Sequence, residues 1–523
     1  MRFLWYNHIM KSHIKTEETV TISKVEYESL KQQVAWLMEQ LKLSKRRQFG
    51  VSSEKSEYCQ TNLFNEVESV SDLSAAEPEL EEVKAYRRGK SRTSTDRLPP
   101  DIPVEIVEHE LPEDQRLCPN CSSALHVMSR DIREELKLIP AKAVIIRHVL
   151  HVYACRDCEK NTDHATIVKA KSPQPVIKGS FASPEAVAHI MAQKFVMGVP
   201  LYRQEQEWER NGVLLSRQTM SNWLLRCAGD WLRPIYDRLH QFLCDGEVAH
   251  ADETTVQVLH ERERAAQSKS YMWLYRTSGD VRHPIVLYDY QTSRGGEHPK
   301  AFLQGFKGYL HTDGWDEYHR KLPDEITVVG CWAHCRRKFD EALKALPEKD
   351  RAESESLRGK QFCDRLFALE REFAKLSFDE GFKVRFLARN ECSKPVMDEF
   401  FAWAAQRVEK DVQPKSLLGV ALRYALNQRT WLERVLLDGR LELSNNRAER
   451  SIKPFVIGRK NWLFNNSPKG ADACAMIYSI VETAKENGLN PYDYLVAVFR
   501  EAPNLPTSSS VDSLLPWNLK RGV

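Results

Sequence analysis

The chain has 523 residues, 42% of them hydrophobic and 28% charged, with 76 Lys plus Arg against 73 Asp plus Glu. That length exceeds the roughly 250–300 residues at which one core stops growing, so several domains are expected, and the near balance of charge leaves any nucleic-acid partner to local basic clusters. No apolar run reaches the roughly 18–20 residues of a membrane span, and the opening MRFLWYNHIM lacks the length and cleavage site of a signal peptide, so a soluble cytoplasmic chain with no membrane partner is expected. The 12 cysteines include two C-x-x-C pairs, a usage that favours an intracellular metal site over a disulfide framework.

In chain order, Tyr27, Leu30, Val34, Leu37 and Leu41 recur at alternating spacings of three and four, which predicts an amphipathic helix or short coiled coil within residues 1–51. It is a candidate contact for self-association, and equally a helix packed on its own domain. Residues 52–103 are Ser- and Glu-rich, then basic (Lys84, Arg87, Arg88, Lys90, Arg92, Arg97), without an apolar period, and predict a flexible linker. In residues 104–170, Cys118, Cys121, Cys155 and Cys158 form two knuckles suited to one tetrahedral Zn²⁺, which would stand in for a core too small to fold alone. The alternation of Val144, Ile146, His148, Leu150 and Val152 between them predicts the hairpin of a zinc ribbon.

Residues 171–243 read as helical. Ser183 followed by Pro184 signals one start, a second helix runs from about Leu201 to Arg210 and ends at Asn211-Gly212, and Ser216 caps a third carrying Met220, Trp223 and Leu224. With Arg217 near its N-terminus, the last helix is compatible with a DNA-binding helix-turn-helix and with a plain helical hairpin.

From residue 244 the pattern becomes β. Strands are predicted over 248–259, 271–277, 285–291, 308–312 and 327–332, with helices around 299–304 and 333–346. Three meandering strands followed by strand, helix and strand is the order of a ribonuclease-H-like mixed sheet, in which the first and fourth strands are neighbours. That order would bring together Asp252 of EVAHADETTVQV and Asp313 of GYLHTDGWDEY. Residues 347–443 carry only helical spacing and predict an all-helical insertion. The chain then returns to the core over 444–500 through LSNNRAERSIKPF, where Glu449 lies among Arg447, Arg450, Lys453, Arg459 and Lys460; residues 501–523 form a tail. A lone carboxylate among bases suited to phosphates fits metal binding. Three acids around two Mg²⁺ or Mn²⁺ ions suit in-line displacement at phosphorus.

Each acid also has an ordinary structural explanation. Asp252 could bond to a loop, Asp313 could belong to an Asp-Gly turn, and Glu449 could complete a capping box with Asn446 as cap. Glu253, Asp316 and Glu317 are the nearest alternatives for the site. Cys331-x-x-His334, with Cys335, offers a metal site, but the preferred reading places Cys331 and Trp332 in the core of the last strand, with His334, Arg336, Arg337 and Lys338 toward DNA.

HADETT, the TDG-x-x-x-Y of Thr312 to Tyr318, CWAHCRRKFDEA from Cys331, SNNRAERSIKPFVIGRKNWLF from Ser444 and the terminal LLPWN resemble the signatures of the IS66 family of transposases. QFGVSSEKS from Gln48, the four-cysteine module and PLYRQEQ from Pro200 follow in the same order, so the resemblance covers nearly the whole chain. It implies a bacterial DDE transposase of an insertion sequence, nucleoid-associated when bound to DNA, with Asp252, Asp313 and Glu449 as its triad. It would cleave at terminal inverted repeats and transfer a 3′-hydroxyl into target double-stranded DNA. A homo-oligomer, at least a dimer, and small accessory proteins encoded by the element are also implied. The residues before about Thr16 depart from the family pattern and suggest a mis-assigned start. Two other functions fit the motifs: a DNA-binding regulator with an inactive catalytic domain, and a structure-specific metal-dependent nuclease.

Overall fold

A computed structural model describes residues 143–154, 167–374, 381–410, 412–506 and 511–519, with scattered positions between 23 and 41. The linker and Cys118, Cys121, Cys155 and Cys158 lie outside the described residues. Tyr27, Leu30, Val34, Leu37 and Leu41 are helical and exposed. Among the described residues no helix is long and apolar enough to cross a membrane.

The chain is a multidomain α/β protein. Strand β1 (Val152–Ala154) pairs antiparallel with β2 (Ile167–Lys169). The predicted alternating strand begins later than expected, because residues 143–151 form no ladder. Helices α1 (Pro184–Phe195), α2 (Leu201–Arg210) and α3 (Arg217–Cys227) follow, and α1 and α3 start where Ser183 and Ser216 accept backbone N–H bonds. A π-turn over 228–232 continues into α4 (Arg233–Cys244).

The central sheet has five strands in the order β5-β4-β3-β6-β7. Strands β3 (Val248–Gln257), β4 (Lys269–Thr277) and β5 (Val286–Gln291) form an antiparallel meander. Helix α5 (Glu297–Phe302) precedes β6 (Gly308–His311), and α6 (Asp316–Lys321) precedes β7 (Ile326–Val329). Strand β6 runs parallel to both β3 and β7, so the first and fourth strands are neighbours, as the strand order required.

The last strand ends earlier than the sequence pattern suggested. Gly330 follows Val329, Cys331 is the N-cap of α7 (Trp332–Ala345), and Trp332 is the first residue of that helix. The Gly330 and Trp332 N–H groups bond to the Trp431 and Leu443 carbonyls, at 2.9 and 3.0 Å, so the backbone leaves the ladder to hold the returning insertion.

The insertion contributes α8 (Glu348–Arg351), α9 (Glu355–Phe373), α10 (Gly381–Ala388), α11 (Lys394–Lys410), α12 (Leu417–Asn427) and α13 (Arg429–Glu433). It has an apolar core of its own, in which Trp332, Cys335 and Phe339 of α7 meet Phe362, Leu366, Phe400, Phe401 and Leu422. Trp332, Cys335 and Phe339 recur at helical spacing on one face, as an amphipathic helix requires.

The chain returns as α14 (Asn446–Trp462), α15 (Pro468–Glu486) and α16 (Pro491–Glu501). Helix α15 is buried from Ala473 to Ala484 and covers the edge strand β5. Its Ser479 hydroxyl accepts the Tyr288 N–H (2.7 Å), and the Thr483 hydroxyl accepts from Val286 N–H (3.0 Å) and donates to Val286 O (2.9 Å). Two hydroxyls thus satisfy an edge that would otherwise offer free backbone groups to another chain.

Candidate active site

Strands β3 and β6 carry the same short pattern, His-x-Asp, as His250-Ala251-Asp252 and His311-Thr312-Asp313. They pair in register, His250 opposite His311. Each acid lies two residues farther along, so side-chain alternation and the parallel register bring Asp252 and Asp313 to the same end of the sheet. The two imidazoles stack beneath them, with centroids 4.5 Å apart and planes 15° from parallel. Burial lowers His250 to about 3 and His311 well below its usual range, so both are neutral.

The imidazoles also fix the entry to α14. His250 Nδ1 donates to Asn445 Oδ1 at 3.0 Å, and His311 Nε2 accepts the Glu442 N–H at 3.1 Å. Asn445 donates its side-chain amide to Ala251 O (2.8 Å) and its backbone N–H to Cys331 Sγ (3.2 Å). It is the N-cap of α14, yet its side chain makes no capping bond and holds β3 instead. One turn into the helix is Glu449. With Asn445 rather than Asn446 as cap, Glu449 lies one residue beyond the position a capping box requires.

Charge is concentrated here. Burial, followed by the negative charges of Glu253, Asp313 and Glu449, raises the Asp252 pKa well above the carboxylate range. Glu253 is also raised, by burial and then by Asp313, while Arg294 opposes the shift. Arg294 Nε donates to Glu253 Oε1 (2.7 Å), its Nη2 is 3.7 Å from Asp313 Oδ2, and its guanidinium lies 4.5 Å from the Trp315 ring centroid. Tyr318 donates to the other Glu253 oxygen at 2.8 Å. Asp313 Oδ1 accepts the Trp315 N–H at 3.0 Å, so Asp313 makes the expected turn and still presents its second oxygen to Arg294.

Glu449 faces a different pair of cations. Arg337 Nη2 donates to its Oε2 at 3.2 Å, and His334 Nε2 is 3.7 Å from Oε1. Burial opposes a charge on His334, but the Cys331 sulfur and the Glu449 carboxylate outweigh it and push its pKa up to about 9. Cys331, His334 and Glu449 each offer a ligand atom within 4.8 Å of the others, the one such group among the described residues. The three acids therefore do not close to single-ion spacing. Their hard oxygen donors, the repulsion around Asp252 and an unbonded Glu449 Oε1 nevertheless suit divalent cations.

The expected DNA contacts divide into two groups. Arg450, Lys453 and Lys460 are exposed on α14. Arg447 donates to Glu442 (2.6 Å), and Arg459 reaches the Thr255 hydroxyl (3.0 Å). Arg336 pairs with Asp364 (2.5 Å), and Lys338 stands 5.0 Å from the Tyr424 ring centroid. The Arg217 N–H bonds Glu205 (2.9 Å), and its guanidinium lies 5.6 Å from the Tyr202 ring centroid. Sequence alone marked these bases without revealing their partners.

The residues that build this geometry fall inside one sequence match. Residues 179–473 match the family described as "Transposase IS66 family", and that span contains all three acids. The chain belongs to the IS66 transposase family. Three further matches of that family accompany it: its zinc-finger binding domain over 115–159, its C-terminal element over 479–517, and "Transposase C of IS166 homeodomain" over 36–107. Among curated proteins, "Uncharacterized protein y4qI" of Sinorhizobium fredii (strain NBRC 101917 / NGR234) is 30% identical, over 96% of this chain and 92% of its own length. "Uncharacterized protein y4jD" of the same organism is 31% identical, over 78% of this chain and 79% of its own length.

For this IS66 chain, motif reading missed Arg294 as partner of two acids, and Asn445 and the histidine pair as the frame beneath them. A signal for the histidines was present, since His-x-Asp occurs at both candidate strands. Arg294 lies in a loop between β5 and α5 with no pattern to mark it.

Proposed function

We propose that this IS66-family protein cleaves DNA strands at the terminal inverted repeats of its insertion sequence and transfers the freed 3′-hydroxyl into target DNA. The observation that carries the reading is the in-register pairing of two His-x-Asp strands, with α14 fastened to the same histidines through Asn445 and Glu442. The mixed sheet is read as a ribonuclease-H-like core over 244–346 and 444–500, with 347–443 inserted between its second and third acids.

Asp252, Asp313 and Glu449 would hold two Mg²⁺ or Mn²⁺ ions, which when bound activate the attacking oxygen and stabilise the leaving one. Water attacks phosphorus first, the P–O bond to the 3′ oxygen breaks, and a free 3′-hydroxyl remains. That hydroxyl then attacks a phosphodiester of the target strand, displacing its 3′ oxygen. Arg337 and His334 orient Glu449 beforehand, Arg294 offsets the charge of Glu253 and Asp313, and Arg450, Lys453 and Lys460 would hold phosphates along α14. Cys118, Cys121, Cys155 and Cys158, all within the zinc-finger match, would bind one structural Zn²⁺. A dimer, or a larger assembly with accessory proteins of the element, would bring two ends together.

Labelled element ends incubated with the protein and Mg²⁺ test the reading. Nicking followed by joining to target DNA is expected, and Glu449→Gln should abolish both while leaving DNA binding intact. Nicking without joining would point to a structure-specific nuclease. Binding without nicking would point to a regulator with an inactive core.

A further inference from the structure

Cations from three segments gather around a concavity bordered by α3, and none of the three candidate acids lines it. Thr219, Asn222, Trp223 and Arg226 recur along one face of this helix at helical spacing. With the 177–180 loop and Lys469 at the start of α15 they line a cavity of about 390 Å³. Its floor is apolar, formed by Ile177, Trp223 and Leu225, and its rim carries Lys178, Arg226 and Lys469 with the hydroxyls of Ser180 and Thr219.

Three features separate this place from an ordinary solvated face. No carboxylate lines it. Among the described residues, Lys178, Arg226 and Lys469 form no ion pair and no hydrogen bond through their head groups. Arg217, Arg336, Arg337, Arg447 and Arg459, by contrast, are all engaged with neighbours. The three cations come from separate segments, so the fold, and not a local charge run, gathers them. In a chain whose formal net charge is only +3, that local excess is considerable. At the N-terminal end of α3 the Arg217 N–H is held by Glu205 and its guanidinium lies near Tyr202, whereas Arg226 farther along the helix has no such partner among the described residues.

We propose that this cavity receives the sugar–phosphate backbone of duplex DNA, with deoxyribose against the Trp223 and Ile177 floor and adjoining phosphates on the Lys178, Arg226 and Lys469 rim. The inference rests on the transposase reading and adds to it a sequence-independent anchor whose lining includes none of the three acids. Contacts of this class position the duplex without reading bases, and each neutralised phosphate adds a counterion-release contribution to the salt dependence.

The test uses the full-length protein, with fluorescence anisotropy on labelled element-end and random-sequence duplexes across a salt series. In the Lys178→Gln/Arg226→Gln/Lys469→Gln variant, the slope of log affinity against log salt should become shallower by roughly 2–3 units, equally for both duplexes. The Lys178→Arg/Lys469→Arg variant should keep the parental slope. All three side chains are exposed, so the melting temperature should be unchanged. A parental slope in the triple variant overturns the proposal even if element ends are still nicked. A loss confined to the element-end duplex overturns it as well, because that would be base readout. If the parent binds neither duplex, the transposase reading fails with it.

Discussion

Arg389 in the helical insertion and the acid cluster at the sheet end are both polar and largely enclosed, but they are satisfied to very different degrees. Arg389 is 1% exposed. It binds both Glu370 oxygens at 2.6 and 2.8 Å, and the carbonyls of Val435, Asp438 and Leu441 at 3.2, 3.0 and 2.6 Å. Every direction of its guanidinium is used, and the chain returning to α14 is held by it. At the sheet end, Asp252 is repelled by three other carboxylates, and His250 Nε2, His311 Nδ1 and Glu449 Oε1 have no hydrogen-bond partner among the described residues. A scaffold gains from satisfied polar groups, whereas the site proposed to accept ions and phosphates keeps capacity in reserve.

The largest effect should come from the unsatisfied side. Asp252→Asn should reduce element-end nicking below detection and yet raise the melting temperature, because it removes a carboxylate whose charged form is opposed by burial and by its neighbours. A lower melting temperature would break the comparison, since the acids would then be stabilising the fold. On the satisfied side, Arg389→Ala should cost about 3–5 kcal/mol in denaturant unfolding, the penalty of breaking an enclosed pair and stranding its acceptors. A cost below about 1 kcal/mol would mean that the guanidinium does not hold the insertion. Asn445→Ala lies between the two. It deletes two enclosed hydrogen bonds, for a loss of about 1–3 kcal/mol, and should raise the Mg²⁺ concentration for half-maximal nicking about tenfold. An unchanged Mg²⁺ requirement would reduce Asn445 to a purely structural clamp.

Much of this arrangement was legible in the residues because it depends on local rules. Ser183 and Ser216 cap helices as their residue types suggest, and Asn211-Gly212 ends a helix where it should. The strand order implied that β3 and β6 are neighbours, and that adjacency carries Asp252 to Asp313. What the pattern missed depends on groups distant in sequence. Cys331 and Trp332 look like strand continuation until Leu443 O takes the Trp332 N–H. The basic residues of α7 and α14 resemble one phosphate-facing run, but Arg336, Arg337, Arg447 and Arg459 find partners far along the chain or across a turn, which leaves Arg450, Lys453 and Lys460 exposed. Asn445 resembles a helix cap, and is one by position, but its side chain is taken by β3.

The smallest predicted effect concerns backbone strain on the acid-bearing side. At the end of α14, Leu463 has φ 66° and ψ −53°, and the Phe464 N–H bonds back to Trp462 O at 2.9 Å, the signature of a γ-turn with positive φ. Such turns are rare and strained for a residue with a Cβ. The turn is held from its far side, where Asn465 N–H bonds Gln257 O and Leu259 N–H bonds Asn465 O, both at 3.0 Å, tying the exit of α14 to the end of β3. Leu463 is 64% exposed, so little burial is lost on its removal. Leu463→Gly should therefore relieve roughly 1–2 kcal/mol of strain against roughly 0.5–1 kcal/mol of added chain entropy in the unfolded state, a net gain of about 0.5–1 kcal/mol in denaturant unfolding. If nicking also weakens in that variant while stability rises, the strained turn is part of how α14 presents Glu449. If stability falls, the Leu463 side chain contributes more than its exposure indicates, and the strain belongs to the scaffold and not to the site.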